Sequence, residues 1–100
     1  MSIRSEIQAE QKVLTISVDG TLDAQLFAEF QLAYKDVPAY FRCVIDLSGV
    51  DYVDSSGLGL LLILREHFGS DNATVEIRGC SEDVANVLYI SNFDVLFSMR

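Results

Sequence analysis

Apolar residues recur at every second position near the start of the chain and at every third or fourth position further on. The change of period marks out the elements. Ile3, Ser5, Ile7 and Ala9 alternate with Arg4, Glu6 and Gln8, and Leu14, Ile16 and Val18 alternate with Val13, Thr15 and Ser17. A period of two belongs to strands with one buried face, so these stretches predict a hairpin linked tightly at Glu10-Gln11. From Asp23 to Val37 the period lengthens, and Leu26, Phe30, Ala33 and Val37 share one helical face, with Phe27 and Tyr34 beside them. Asp23 stands where a carboxylate can accept free first-turn amides, and Leu22 before it can staple onto Phe27.

Arg42 to Leu47 reads as a strand, with Cys43, Ile45 and Leu47 on one side and Arg42, Val44 and Asp46 on the other. Ser56 to Phe68 reads as a helix closed by Gly69, and Ala73, Val75 and Ile77 as another strand. Ser81-Glu82-Asp83 is a capped, acid-rich helix start, followed by an inner face of Val84, Val87, Leu88 and Ser91. Val95, Phe97 and Met99 predict a last strand.

Strands alternating with helices imply right-handed crossovers in a mostly parallel sheet. Strands covered on both faces are usually continuous apolar runs, yet several here are polar on one face. The expected fold is therefore α/β, a single domain over residues 1–100. It has a mixed, mostly parallel sheet, an N-terminal hairpin, strands added in sequence order, and helices packed on one face.

Composition narrows the partners. Half of the residues are hydrophobic and the formal charge is −8, from 15 acids against seven Lys and Arg. Such a surface repels phosphate backbones, so nucleic acid and anionic membranes are disfavoured and a protein partner is expected. The longest apolar run, Leu58 to Leu64, falls well short of the ~20 residues of a membrane span, so no direct membrane insertion is expected. The first twelve residues lack an apolar stretch of signal-peptide length. Cys43 and Cys80 lie far apart with no ligand-spaced neighbours, which reads as two buried thiols in a reducing cytoplasm.

The candidate chemistry sits at "VDSSGLG", where Asp54, Ser55, Ser56 and Gly57 precede a leucine-rich helix. These residues satisfy orphan amides at a helix N-terminus, and capping alone accounts for them. The same position also favours negative charge and displays a hydroxyl to another enzyme. Phosphorylation there would add about −1.5 to −2 charge beside Asp51 and Asp54, enough to push an acidic or apolar partner away. Leu58, Leu60, Leu61, Leu62, Ile63 and Leu64 cover nearly the whole helix circumference. Either some form an exposed docking patch or neighbouring helices bury them all.

Other chemistries fit poorly. A hydrolase elbow requires Gly-x-Ser-x-Gly, and "DSSGLG" lacks the first glycine. His67, the one histidine, lies three turns along the same helix, too far to serve a serine as base, and reads as a helix-end residue. Leu62 stands where a dinucleotide fingerprint needs its third glycine. Asp46, Asp51 and Asp54 could gather around a hard cation, but only two of them lie in the loop. No metal, cofactor or catalytic residue is expected, and the chain is not read as an enzyme.

The segment "VIDLSGVDYVDSSGLG", together with Gly20-Thr21-Leu22-Asp23 and "ISNF" at residues 90–93, resembles the STAS domain, and within it the bacterial anti-anti-sigma factors (anti-sigma factor antagonists). The resemblance implies a small sheet with helices in a strand-helix superhelix. It also implies phosphorylation of Ser55 (alternatively Ser56) by an anti-sigma factor that is itself a serine kinase. The unphosphorylated form would sequester that partner and the phosphorylated form would release it. A metal-dependent serine phosphatase would reset the switch. Asp23, Asp54, Ser55, Ser56, Gly57 and Leu58 are the partner-binding candidates. Relatives of this kind usually carry a C-terminal helix that this chain is expected to lack, and Asn92 stands where glycine is usual. Stand-alone domains of this family also dock on membrane transporter ATPases, which leaves an accessory transport subunit as the alternative.

Overall fold

In β2 (Val13–Leu22) the alternation is used as the pattern requires: Leu14, Ile16 and Val18 are buried, while Val13, Thr15 and Ser17 are half-buried. In the computed structural model, which describes residues 2–100, β2 pairs antiparallel with β1 (Ile3–Gln8) and parallel with β3 (Arg42–Val53). β4 (Val75–Arg78) and β5 (Ser98–Met99) continue the sheet in parallel, so the spatial order is β1-β2-β3-β4-β5. The hairpin link spans residues 9–12 and closes on Lys12, whose φ of 57° turns the chain back into β2.

The crossovers are helical. A 3-10 turn at Ala24–Leu26 leads into α1 (Phe27–Tyr34), and α2 (Ser55–His67) follows β3. α3 (Glu82–Ile90) and the single turn α4 (Phe93–Leu96) lie between β4 and β5. One continuous core joins Leu14, Ile16, Cys43, Ile45, Leu47 and Ile77 of the sheet to Phe30, Leu61, Leu64, Val84 and Leu88 of the helices. Burying large aliphatic side chains of this kind stabilises by roughly 1.5–3 kcal/mol each.

The other sheet face is polar and crossed by ion pairs. Arg42 meets Glu76 at 2.6 Å, Arg100 approaches the same carboxylate at 3.7 Å, and Arg78 lies 3.9 Å from Asp46. These aliphatic stems and pairs lower Glu76 to 8% exposure on a face that no helix covers. The one-sided layering expected from the strand pattern is what the protein adopts.

Several details differ from the pattern reading. Ile7 is 55% exposed and Ala9 is also exposed, because β1 is an edge strand and the core reaches only its Ile3 end. β3 runs past Leu47 to Val53, with two register shifts against β2, one between Asp46 and Gly49 and one between Val50 and Tyr52. β4 starts only at Val75, since a 3-10 turn occupies residues 70–72. The predicted last strand is mostly absent. Asn92 takes the left-handed conformation at φ 62°, ends α3 and starts α4, where Phe93 and Phe97 stack at 5.3 Å. Val95 therefore points to solvent and only Ser98 and Met99 pair with β4.

Both readings of the leucine-rich helix hold in part: Leu60, Leu61 and Leu64 are buried, Leu58 is half-buried, and Leu62 and Ile63 are exposed. His67 closes α2, and its Nε2 lies 2.8 Å from the Val37 carbonyl, tying that helix end to the α1–β3 connection. Cys43 is buried and Cys80 only partly so.

Candidate functional site

Parallel strands end together, so β2 and β3 deliver their C-terminal residues to one pole of the sheet. Leu22 and Val53 are partners in the β2–β3 register. Asp23 and Asp54, one residue beyond each, begin the two helical segments. Asp23 accepts the Gln25 amide at 3.0 Å, and Asp54 accepts the Gly57 amide at 2.8 Å. Both act as the N-caps their chemistry favours, satisfying amides with no intrahelical partner.

The two helix starts are then joined by a side chain. Ser56 Oγ donates to Asp54 Oδ1 at 2.7 Å and accepts the Ala24 amide at 3.1 Å. Its hydroxyl uses its donor and one acceptor in a bridge spanning 32 residues of sequence. Ser55, beside it, takes no part in this bridge and is exposed at the first position of α2. The sequence could not separate these serines; the geometry gives them different surroundings.

Gly57 is buried, and a side chain on it would strike the Leu22 carbonyl and crowd Val53 Cγ1 at 3.1 Å. The missing Cβ allows α2 to start directly against the end of β2. Leu58, half-buried, packs against the core. All six candidate residues thus lie around one pole: Asp54, Ser55, Ser56, Gly57 and Leu58 on the first turn of α2, and Asp23 next to the amide that Ser56 holds. The role of Ala24, which enters only through its backbone, left no trace in the sequence.

The charged side chains in the stretches that form this pole are of one sign. Asp23, Asp51, Asp54, Glu82 and Asp83 lie near strand ends or helix starts, and residues 19–23, 49–58 and 79–88 contain no Lys or Arg. Hydrogen bonds from the Ser56 hydroxyl and then from the Gly57 amide hold the Asp54 carboxyl below the usual range. Asp46, also lowered, is held mainly by the Ser48 amide and hydroxyl, so it serves a turn rather than this site. Among the described residues no cluster of three metal-ligating side chains occurs, and no helix is long and apolar enough to cross a membrane.

The five-stranded mixed sheet with its helices is also the fold of known proteins. A family model described as "Mlab, STAS domain" matches residues 5–98. The chain belongs to the STAS domain family. A STAS-domain containing protein of Pseudomonas aeruginosa (strain UCBPP-PA14) is 40% identical over 100 residues, spanning 99% of each chain. A putative anti-sigma factor antagonist from Thermotoga maritima superposes with a TM-score of 0.81 at 20% identity, covering 97% of this chain and 84% of that one. The anti-sigma factor antagonist SpoIIAA in its unphosphorylated form superposes at 0.73 and 18% identity, covering 98% and 87%. At these identities the likeness to the solved structures is one of STAS fold.

Proposed function

We infer that this STAS domain is a cytoplasmic protein-binding switch of the anti-sigma factor antagonist type, with Ser55 as its phosphorylated residue. The observation that carries the reading is the division of labour between the serines. Ser56 is committed to Asp54 and Ala24, whereas Ser55 is exposed beside the cap and outside that bridge. A kinase can take the Ser55 hydroxyl without opening the helix start. The fold neighbour SpoIIAA exists in unphosphorylated and phosphorylated forms, which supports a modification of this kind on this scaffold.

The unphosphorylated pole would bind an anti-sigma factor that is also a serine kinase. A phosphate would add about two negative charges to a pole whose stretches 19–23, 49–58 and 79–88 carry acids and no Lys or Arg. A partner contact that buries the Ser55 hydroxyl would then have to bury a dianion, at a desolvation cost large enough to release it. A metal-dependent serine phosphatase would restore the binding form. The protein is a kinase substrate in this scheme and not an enzyme.

The test uses Ser55→Ala and Ser55→Asp as parallel baits in lysate of the native organism, read by mass spectrometry. A serine kinase of the anti-sigma type enriched on the alanine bait alone is the expected result. Equal recovery on both baits would sink the switch.

A second reading, an accessory subunit docked on a membrane transporter ATPase, is favoured by Leu62 and Ile63, 40% and 44% exposed on α2. They offer an apolar contact face that does not depend on Ser55. Transporter subunits recovered on both baits, and lost with Leu62→Glu, would select it.

A further inference from the structure

Between the end of β3 and the first two turns of α3 runs a groove of about 160 Å³, lined by Asp51, Tyr52, Val53, Asp83, Val84 and Val87. Val53 and Val84 are buried in its floor and Val87 is half-buried. An apolar space of about 150 Å³ takes a group the size of a benzene ring, so one leucine, methionine or phenylalanine side chain fits and a whole helix does not. The lips are charged. Asp51 and Asp83 are both exposed, Glu82 precedes Asp83, Asp54 follows Val53, and none of the seven Lys and Arg falls in 49–58 or 79–88. Tyr52, 59% exposed, adds a ring face on which a cation can rest.

An apolar floor between anionic lips selects an apolar side chain carried between cations. We propose that this groove is a docking site for a partner's extended segment, seating one large apolar side chain flanked by Lys or Arg. Val53 is two residues before Ser55, so a segment seated here leads to the serine. The inference deepens the switch reading and rests on it for the partner's identity, although occupancy of the groove can be measured without it. The groove then supplies a constant anchor, and Ser55 decides whether the rest of the partner closes over the pole.

The probes are three capped pentapeptides: leucine between two pairs of lysines, leucine between two pairs of glutamates, and alanine between two pairs of lysines. Each is titrated into the full-length 15N-labelled protein to 5 mM, on the order of the millimolar affinity such short contacts reach. The lysine–leucine peptide should move the amides of Tyr52, Val53, Val84 and Val87 with saturation, at least tenfold more tightly than either control. Val87→Glu should abolish the response. Tyr52→Ala, a change at an exposed side chain that leaves the fold intact, should weaken it several-fold. The switch is read separately, by recovery on the Ser55→Ala and Ser55→Asp baits, which separates failure of the groove from failure of the switch. Equal response to the alanine peptide would reduce the effect to diffuse charge attraction and overturn the proposal. So would shifts centred away from those four amides, or no shift by 5 mM.

Discussion

Ser56 donates its hydroxyl hydrogen to Asp54 across 2.7 Å and, through its acceptor, holds the Ala24 amide at 3.1 Å. One side chain thereby fastens the start of α2 to the turn that follows β2. Removing it leaves a helix-start amide and a cap carboxylate each short of a partner, and a typical net hydrogen bond is worth about 0.5–1.5 kcal/mol. Ser56→Ala should therefore lower unfolding stability by about 1–2 kcal/mol. Ser55→Ala should stay within about 0.5 kcal/mol of the parent. Urea midpoints at pH 7 measure both, and a reversed order would dissolve the distinction between the serines.

The two glycines of "GLG" face opposite situations. A methyl group on Gly57 meets the Leu22 carbonyl, a backbone atom that cannot rotate away, whereas one on Gly59 meets nothing within 4 Å. Gly57→Ala should cost about 2–3 kcal/mol or more through forced separation of α2 from β2. Gly59→Ala, in an open helix interior, should be neutral or stabilising by up to about 1 kcal/mol. Thermal melts of the pair give the comparison, and similar melting temperatures for both would contradict the close approach.

The acid limb of the stability curve should report the cap. Asp54 is held below its ordinary range by Ser56 and Gly57, so the folded state gives up this proton more readily than the unfolded chain. Its contribution is present in full above the unfolded carboxyl pKa of about 4 and vanishes as pH falls through the lowered folded value. Asp54→Asn should flatten the fall in urea midpoint below pH 4. Asp46→Asn should flatten it as well, since Asp46 is lowered by the Ser48 turn. A parent curve with no fall in that window would remove the cap's electrostatic role.

Much of this arrangement can be read from letters alone because the two periods are clean. Leu14, Ile16 and Val18 of β2, Leu26, Phe30 and Val37 around α1, and Val84 and Leu88 of α3 follow from spacing, and the polar alternate positions expose the one-sided layering. Phe27, expected to staple onto Leu22, is instead 41% exposed. The motif at residues 54–58 could be located but not resolved, since adjacent serines look alike until Ala24, 32 residues away, shows which one is held. Pattern reading failed where tertiary context outweighed period. Val95, Phe97 and Met99 alternate like a strand, but the left-handed Asn92 starts a helical turn there and leaves Val95 77% exposed. Ile7 alternates correctly too, yet an edge strand has no second neighbour to help cover it.

At the alkaline end the buried thiol should dominate. Burial among Leu14, Ile45 and their neighbours pushes the Cys43 thiol up to about 12, well above the ~8.5 of an exposed cysteine. Tyr34 is raised in the same direction, chiefly by burial and then by Cys43. A raised folded pKa means that the unfolded chain loses the proton first. The stability is therefore intact below about pH 8.5 and is lost progressively as pH rises toward the folded value near 12. The rise from an ordinary thiol value of 9.0 to about 12 corresponds to an upper bound of ~4 kcal/mol, reached only if the site stays dry. Cys43→Ala should lower stability at pH 7 through the small void it leaves, and should also flatten the decline between pH 9 and pH 11 (about the window in which an exposed thiol is ionised). Denaturant midpoints for parent and variant across that window make the test. Parallel curves would assign the alkaline loss to Tyr34 or to the surface charges instead of the thiol.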